Sequence, residues 1–195
     1  MNLPGVYDMF LEKWKDYQTV WVISDTHFGD KELAAGIPGR PSDEELVKMI
    51  NSKVGRKDVL IHLGDVGDVE FAKQLRGYKI LIMGNHDAGK TNYQEAFNEI
   101  YEGAVMLGEK LLASHEPVSM IPWAFNVHGH DHAGKQNGPR HLNVCADVIG
   151  YAPINLNQWL KSGPLANIQT IHRETINKAT DRKKKRGGQK IGVKK

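Results

Sequence analysis

Five short polar motifs, each placed directly after a short apolar run, constrain this chain more than any other feature of its sequence. Short apolar runs that stop at a turn are typical of buried β-strands, and ligands of α/β sheets bind beyond the carboxyl ends of the strands. The motifs are Asp25-Thr26-His27, Gly64-Asp65-Val66-Gly67-Asp68, Gly84-Asn85-His86-Asp87, Ser114-His115 and Gly129-His130-Asp131-His132. They supply Asp, Asn and His side chains without Cys, and this set suits divalent metal ions.

The composition is that of an ordinary globular protein. The chain has 195 residues, 40% of them hydrophobic and 25% charged, which is enough for one domain with a substantial core. Its apolar runs stop well short of the ~20 residues that cross a bilayer, and Asp8, Glu12 and Asp16 interrupt the region where a signal peptide would be apolar. The single cysteine, Cys145, excludes an internal disulfide. We therefore expect a cytoplasmic protein without membrane association.

Charge is unevenly distributed along the chain. The net charge is +3, but residues 177–195 alone carry nine basic residues and one acidic residue, which leaves the rest with a charge of −5. We therefore divide the chain into one domain, residues 1–176, and a basic tail, residues 177–195, which is predicted to be disordered. The tail is either a solvated terminus or a segment that attracts nucleic acid nonspecifically. No aromatic residues are interleaved with its charges to support base stacking.

Strands and helices alternate through the first half of the chain, which predicts parallel strands covered by helices. Apolar runs separated by loops in the second half, including Leu142–Ala146, predict a mixed sheet. A capping box formed by Ser42 and Glu45 predicts a helix from about Ser42 to Val54. Other helices are predicted at residues 4–16, 69–75, 91–100 and 155–161.

The order and composition of the five motifs resemble the calcineurin-like metallophosphoesterase superfamily over residues 20–150, and most of all its small single-domain bacterial and phage members. This resemblance implies an α/β fold, the four-layer α/β/β/α sandwich with mixed sheets. It also implies hydrolysis of a phosphodiester or phosphomonoester by a hydroxide that bridges two divalent metal ions. Mn²⁺ is the expected ion, with Fe, Zn²⁺ and Ni²⁺ as alternatives that suit oxygen and nitrogen ligands.

The resemblance also assigns metal ligands to individual residues. Asp65 would bridge both ions, since a carboxylate has two oxygens and a negative charge. The other ligands would be Asp25, His27 and His132 for the first ion and Asn85, His115 and His130 for the second. Taken singly, any of these could be an ordinary turn or core residue, as Asn85 after Gly84 illustrates. Their occurrence as an ordered set favours the metal site.

Catalytic and substrate-binding residues are predicted less directly. By resemblance, His86 would protonate the leaving oxygen, and Asp68 would hold its ring. Asp68 could also cap the helix that follows it. Protein Ser/Thr phosphatases have Arg-Gly after this Asp, whereas this chain has Val69-Glu70. That departure disfavours a protein phosphatase and leaves Arg40 as a candidate phosphate contact.

Two further aromatic and histidine positions have open interpretations. Trp123, between two motifs, either packs in the protein or forms a wall of the substrate cleft. His62 lies inside an apolar run and is expected in the core rather than at a metal. The leading hypothesis is therefore a metal-dependent hydrolase of small or nucleotide-like phosphate esters. A nuclease recruited by the basic tail and a non-catalytic scaffold of the same fold remain the alternatives.

Overall fold

Two β-sheets form the centre of the computed structural model, which describes residues 17–119, 123–168, 178 and 180–182. The helix predicted at residues 4–16 and most of the basic tail lie outside the described residues. No helix in the described part of the chain is both long enough and apolar enough to cross a membrane.

The first sheet has five strands in the order β4-β3-β2-β1-β9. Four of them are parallel, and β9 pairs antiparallel with β1. Their bounds are β1 (Val20–Ile23), β2 (Val59–His62), β3 (Tyr78–Ile82), β4 (Glu99–Tyr101) and β9 (Ile154–Asn155). The parallel part follows from the predicted alternation of strands and helices, since parallel neighbours need a crossover connection.

The second sheet has four strands in the order β5-β6-β7-β8. In it, β6, β7 and β8 are parallel, and β5 runs antiparallel to β6. Their bounds are β5 (Val105–Gly108), β6 (Leu111–Ser114), β7 (Phe125–His128) and β8 (His141–Asn143). Both sheets are therefore mixed, and the predicted α/β class with mixed sheets is confirmed.

Within residues 17–168, apart from the undescribed 120–122, five short helices connect or flank the strands. They are α1 (Lys31–Gly36), α2 (Asp43–Lys53), α3 (Val69–Lys73), α4 (Lys90–Tyr93) and α5 (Leu156–Lys161). The predicted capping box is present, because Ser42 accepts from the Glu45 amide and the Glu45 carboxylate accepts from the Ser42 amide. Each bond satisfies an amide that the first turn of a helix leaves unpaired.

Side chains that alternate along the central strands build two hydrophobic layers. Val20 and Val22 of β1 face a cluster that includes Phe125 and Val127 of the second sheet, whereas Ile23 faces the cluster formed with α2. This two-residue period is that of a strand buried on both faces. One layer therefore joins the sheets, and the other joins the first sheet to its helices.

Two predicted elements are wrong in extent. The helix predicted over residues 91–100 ends at Tyr93, and Ile100 lies in β4, where it pairs with Leu81. Pairing with the open edge of β3 outweighs the local helical pattern. The strand predicted over Leu142–Ala146 ends at Asn143, and Cys145 forms only an isolated bridge with Ser24.

That bridge joins the two sheets at one rim. Ser24, at the end of β1, donates its amide to Val144 O at 3.0 Å and accepts from the Ala146 amide at 2.9 Å. Val144 in turn donates to His128 O, at the end of β7. The carboxyl ends of strands from different sheets therefore meet at one place.

Candidate metal centre

All five polar motifs meet at the rim where the sheets join. They follow β1, β2, β3, β6 and β7 directly, and backbone hydrogen bonds connect the loops. The Asp25 amide donates to Gly64 O at 2.9 Å, and the Gly129 amide donates to His115 O at 2.9 Å. Residues more than a hundred positions apart in sequence thus share one site.

The Asp65 carboxylate lies at the middle of this site and is 2% exposed. Its Oδ2 is 3.6 Å from His27 Nε2 on one side and 3.4 Å from His115 Nε2 on the other. Its Oδ1 accepts from the His86 amide at 2.9 Å. One oxygen is therefore fixed by the backbone, while the other faces two histidines at once.

Nitrogen and oxygen ligand atoms on one side of Asp65 converge closely. Asp65, His115 and His130 offer ligand atoms that all lie within 4.8 Å of one another. Asn85 belongs to the same set, because its Oδ1 is 2.8 Å from His115 Nε2 and 3.0 Å from His130 Nδ1. These four residues are the ones that the sequence assigned to the second ion.

The other side of Asp65 holds the residues predicted for the first ion. Asp25, His27 and Asp65 also offer ligand atoms within 4.8 Å of one another. His132 Nε2 approaches Asp25 Oδ1 at 3.7 Å. Asp25 Oδ1 and His27 Nε2 are both buried and have no hydrogen-bond partner among the described residues. Burying polar atoms without partners costs free energy. A bound cation would be the partner that these two atoms lack within the described chain.

Hydrogen bonds on the far side of two imidazole rings aim their free nitrogens at the site. His115 Nδ1 lies 2.8 Å from Leu63 O, and His132 Nδ1 lies 2.8 Å from Asp147 Oδ2. Both acceptors require N–H at Nδ1, so each ring presents Nε2 to the carboxylates of the site. When a cation replaces the proton there, Nε2 offers its lone pair as a ligand. These rings are therefore oriented as metal ligands before any ion binds.

The ionisation states of Asp65 and His27 also suit cation binding. Burial opposes the charge on Asp65, but hydrogen bonds from His115 and the His86 amide outweigh it and hold the pKa of this carboxyl at about 2. Burial lowers the pKa of His27 despite the nearby carboxylates. Near neutral pH, Asp65 is thus charged and His27 is neutral, the forms that bind metal ions.

Backbone strain is concentrated in the same loops. Asp25, His27, Asp65 and His130 all have positive φ, at 57°, 41°, 53° and 67°. Residues other than glycine rarely adopt positive φ. Backbone strain of this kind clusters at functional sites. The loops are held in this conformation by the hydrogen bonds that connect them.

Two glycines allow the loops after β2 and β3 to touch. A Cβ on Gly64, whose φ is +87°, would lie 2.3 Å from the Gly84 nitrogen, and one on Gly84 would lie 2.2 Å from Asp65 Oδ1. Any larger residue would displace the Asp65 carboxylate from its position. Glycine at both positions therefore permits the contact between the two loops.

An open cleft of about 530 Å³ lies over these ligand atoms. His27, Asp65, His130 and His132 form its floor, and His86 lines it as well. The predicted donor set consists of carboxylate, amide oxygen and imidazole, which fits a hard or borderline divalent cation. The thiol of Cys145 also lies within 4.8 Å of ligand atoms of Asp25 and His132. The site thus combines cation ligands with space for a substrate.

A family model described as calcineurin-like phosphoesterase matches residues 18–184. The chain belongs to this family. Residues that could bind metal ions, of the expected chemical types, are clustered in the structure, and family membership supports hydrolase activity. The resemblance read from the five motifs is confirmed.

Solved structures also match this phosphoesterase. A protein of unknown function from Aquifex aeolicus matches with a TM-score of 0.63 and 25% identity, over 73% of this chain and 98% of that one. The nuclease MPE from Pseudomonas putida matches with a TM-score of 0.43 and 21% identity, over 58% of this chain and 61% of that one. A comparison with curated proteins gave no significant match.

The predicted catalytic pair occupies different surroundings in the phosphoesterase. His86 is exposed at the cleft, with its ring centroid 5.8 Å from that of His27. Asp68 caps α3, where its Oδ1 accepts from the Glu70 amide at 2.9 Å. Among the described contacts, no hydrogen bond joins Asp68 to His86.

The two predicted substrate contacts lie apart from the floor of the cleft. The Arg40 guanidinium donates to the carbonyls of Thr26 and His27, and it lies 5.9 Å from the centre of the Tyr151 ring. Its described partners are thus the loop of the first motif and an aromatic face. Trp123 is 42% exposed, next to the undescribed residues 120–122. His62, by contrast, is fully buried and bonded to Thr26 Oγ1, so the prediction of a core residue is confirmed.

Two carboxylates of the site had no role in the sequence interpretation. Asp87 accepts from the amides of Asp65, Val66 and Gly84, at 2.7–3.0 Å, and so fastens the loop after β2 to the loop after β3. Asp147 accepts from His132 Nδ1 and from the Cys145 thiol. Asp87 could have been suspected from its place within the third motif, whereas nothing in the spacing connects Asp147 with His132.

Asp147 gives the phosphoesterase a testable outer contact. Its hydrogen bond raises the pKa of His132 and fixes which ring nitrogen faces the site. We expect Asp147→Ala to weaken cation binding by roughly 10- to 100-fold, since loss of such partners typically has this effect. Titration against a chelating dye measures the affinity. Asp147→Asn keeps an acceptor oxygen and should lose less cation affinity. An Asp147→Ala variant that binds the cation as tightly as the parent would refute the role of Asp147 in orienting His132.

Proposed function

We propose that this protein is a binuclear-metal-dependent phosphoesterase that hydrolyses a small or nucleotide-like phosphate ester, with phosphodiesters preferred. Family membership and the clustered metal-binding residues support the reaction class. The preference for diesters is supported by Val69-Glu70, which stands where protein phosphatases of this superfamily have the arginine that grips a phosphomonoester.

The observation that carries the proposal is the position of Asp65 Oδ2. It lies 3.6 Å from His27 Nε2 and 3.4 Å from His115 Nε2, between two sets of ligand atoms. A single carboxylate oxygen facing two ligand sets is the arrangement expected of a shared ligand in a two-metal site. Asp25, His27 and His132 would complete one set, and Asn85, His115 and His130 the other.

When bound, two such cations supply charge neutralisation of the phosphate oxygens and a lowered pKa for water at the site. The protein supplies the remaining parts. The ligand rings and carboxylates are already oriented, so little reorganisation accompanies substrate binding. His86 lines the cleft without belonging to either ligand set, which suits it to give a proton to the leaving oxygen.

Cation stoichiometry tests the proposal directly. Protein stripped with EDTA is reconstituted with measured amounts of Mn²⁺, and hydrolysis of bis(p-nitrophenyl) phosphate is followed together with bound metal by elemental analysis. We expect no hydrolysis without metal and full activity only as occupancy approaches two ions per chain. Parallel series with Zn²⁺, Ni²⁺ and Fe²⁺ rank the candidate cations. Full activity in the stripped protein, or at one ion per chain, would contradict the binuclear site.

We also propose a cytoplasmic location for this activity. Cys145 is a buried free thiol, bonded to Asp147 beside the site. A thiol in this position suits a reducing compartment, where it is not oxidised.

A further inference from the structure

The wall of the cleft beside the cation positions is acidic. Asp30 and Glu32 line it together with Leu33, at the start of α1. Asp30 is fixed there, because its Oδ1 accepts from the Leu33 amide at 2.9 Å while its Oδ2 lies 3.9 Å from His27 Nδ1. Among the described residues that line the cleft, none is a lysine or an arginine.

Buried atoms on the floor of the same cleft point independently to a ligand. His27 is 9% exposed and lines the cleft, and its Nε2 has no hydrogen-bond partner within the described chain. The acidic wall therefore borders a site that the unpartnered floor atoms already mark as one for a cation and its substrate.

The charges of the residues around the cleft determine which substrates bind once the metal ions are present. Asp65, Asp30 and Glu32 line the cleft, and Asp25 is fully buried beside His27. Together these four carboxylates would balance the four positive charges of two divalent ions. The arginine closest in sequence to the first motif, Arg40, does not line the cleft. Its Nη2 donates to the carbonyls of Thr26 and His27, while its Nε and Nη1 are buried without a hydrogen-bond partner among the described residues. A negatively charged substrate would therefore be attracted by the cations and repelled by the carboxylates of Asp30 and Glu32.

On the basis of the proposed function, we infer that the cleft selects a singly charged phosphodiester whose two ester groups are uncharged. In the reaction, water adds to phosphorus, the P–O bond to the leaving group breaks, and an alcohol and a phosphomonoester result. Leu33 offers the wall an apolar contact for one uncharged group. Additional phosphates on a substrate would face Asp30 and Glu32, so nucleic acid and other polyanions are disfavoured.

Two substrates with the same scissile bond isolate this effect. The p-nitrophenyl ester of thymidine 5′-phosphate carries one negative charge, and its 3′-phosphorylated form adds a second phosphate without altering the bond that breaks. With the full-length Mn²⁺-loaded protein, we expect the 3′-phosphate to lower kcat/KM about fivefold at low salt, and added salt to narrow the gap.

Charge reversal on the wall provides the decisive variant. Glu32→Lys should shrink or reverse the difference between the two substrates, whereas Glu44→Lys, the same change on an exposed residue of α2 that does not line the cleft, should leave it intact. Calorimetric Kd values of thymidine 5′-phosphate and thymidine 3′,5′-bisphosphate give the same comparison without turnover. Circular dichroism confirms that both variants are folded.

The outcomes separate this inference from the function on which it rests. A parent protein that hydrolyses both esters equally well, or the 3′-phosphorylated one faster, overturns the charge selection while leaving metal-dependent hydrolysis in place. An equal response to Glu32→Lys and Glu44→Lys overturns the role of the wall. Failure of the metal-loaded protein to hydrolyse any phosphate ester removes both the function and the inference.

Discussion

Replacing Asp65 by asparagine is expected to empty the metal site and lower kcat/KM by at least about 10³-fold, since bound ions supply several kcal/mol of transition-state stabilisation. The substitution removes the negative charge that would lie between two cations. Elemental analysis after dialysis measures the bound metal, and hydrolysis of bis(p-nitrophenyl) phosphate measures the rate.

This variant separates metal binding from folding. Asparagine keeps an oxygen that can accept from the His86 amide as Asp65 Oδ1 does, so the loops after β2 and β3 should keep their conformation. Asp131→Asn is a matched control, because Asp131 belongs to the last motif but not to any of the ligand groups. We expect the control to bind metal as the parent does. Two retained ions and near-normal turnover in Asp65→Asn would show that Asp65 is not the shared ligand.

His86→Ala is expected to keep both cations and lose about 10²- to 10⁴-fold in kcat, the usual contribution of a positioned proton donor. His86 reaches the cleft from the loop after β3, and only its backbone amide contacts Asp65. Metal content and steady-state kinetics, measured on the same sample, distinguish this result from loss of a ligand. His141→Ala, at an exposed histidine that does not line the cleft, is the control.

Comparing esters with different leaving groups makes the test of His86→Ala more specific. The p-nitrophenolate leaving group needs little protonation, whereas an alkoxide leaving group needs more. The loss of kcat in His86→Ala should therefore be larger for an alkyl ester. Asp68→Asn adds a test of the proposed partner, because asparagine caps a helix as well as aspartate does and only the charge is lost. If His86→Ala slows both esters equally, or releases metal, the proton-donor role is wrong.

The sequence was sufficient to predict where the candidate site lies. Each motif follows an apolar β-branched run, and the carboxyl ends of parallel strands meet at one edge, so Asp25, Asp65 and Asn85 had to be neighbours. The same reasoning extends to His115 and His130 once the second sheet is taken to join the first. Strand ends and donor types are local information, which a single sequence carries.

Elements that depend on distant partners were harder to predict. Ile100 lies in a short edge strand whose hydrogen bonds come from β3, and nothing in its immediate neighbours distinguishes it from the end of a helix. The bridge between Ser24 and Cys145 likewise exists only because the sheets meet there. Pairing of this kind is a tertiary property.

The contact between Asp147 and His132, and the carbonyl partners of Arg40, could not be predicted for a similar reason. Asp147 contacts His132 across fifteen positions of sequence, and Arg40 contacts carbonyl groups, which have no identity in a sequence. A charged residue near a metal motif suggests substrate binding, yet Arg40 has backbone carbonyls as its hydrogen-bond partners. Predicting such a role requires knowing the path of the main chain.

The fastening of two loops by Asp87 has a consequence for which cations this protein accepts. Because one carboxylate fixes amides of both loops, the polypeptide would set the distance between the two proposed ion positions. Ions of different radius would then have to fit that fixed distance. Discrimination among Mn²⁺, Zn²⁺ and Ni²⁺ would then be a matter of size and preferred geometry, imposed by a residue that touches none of them.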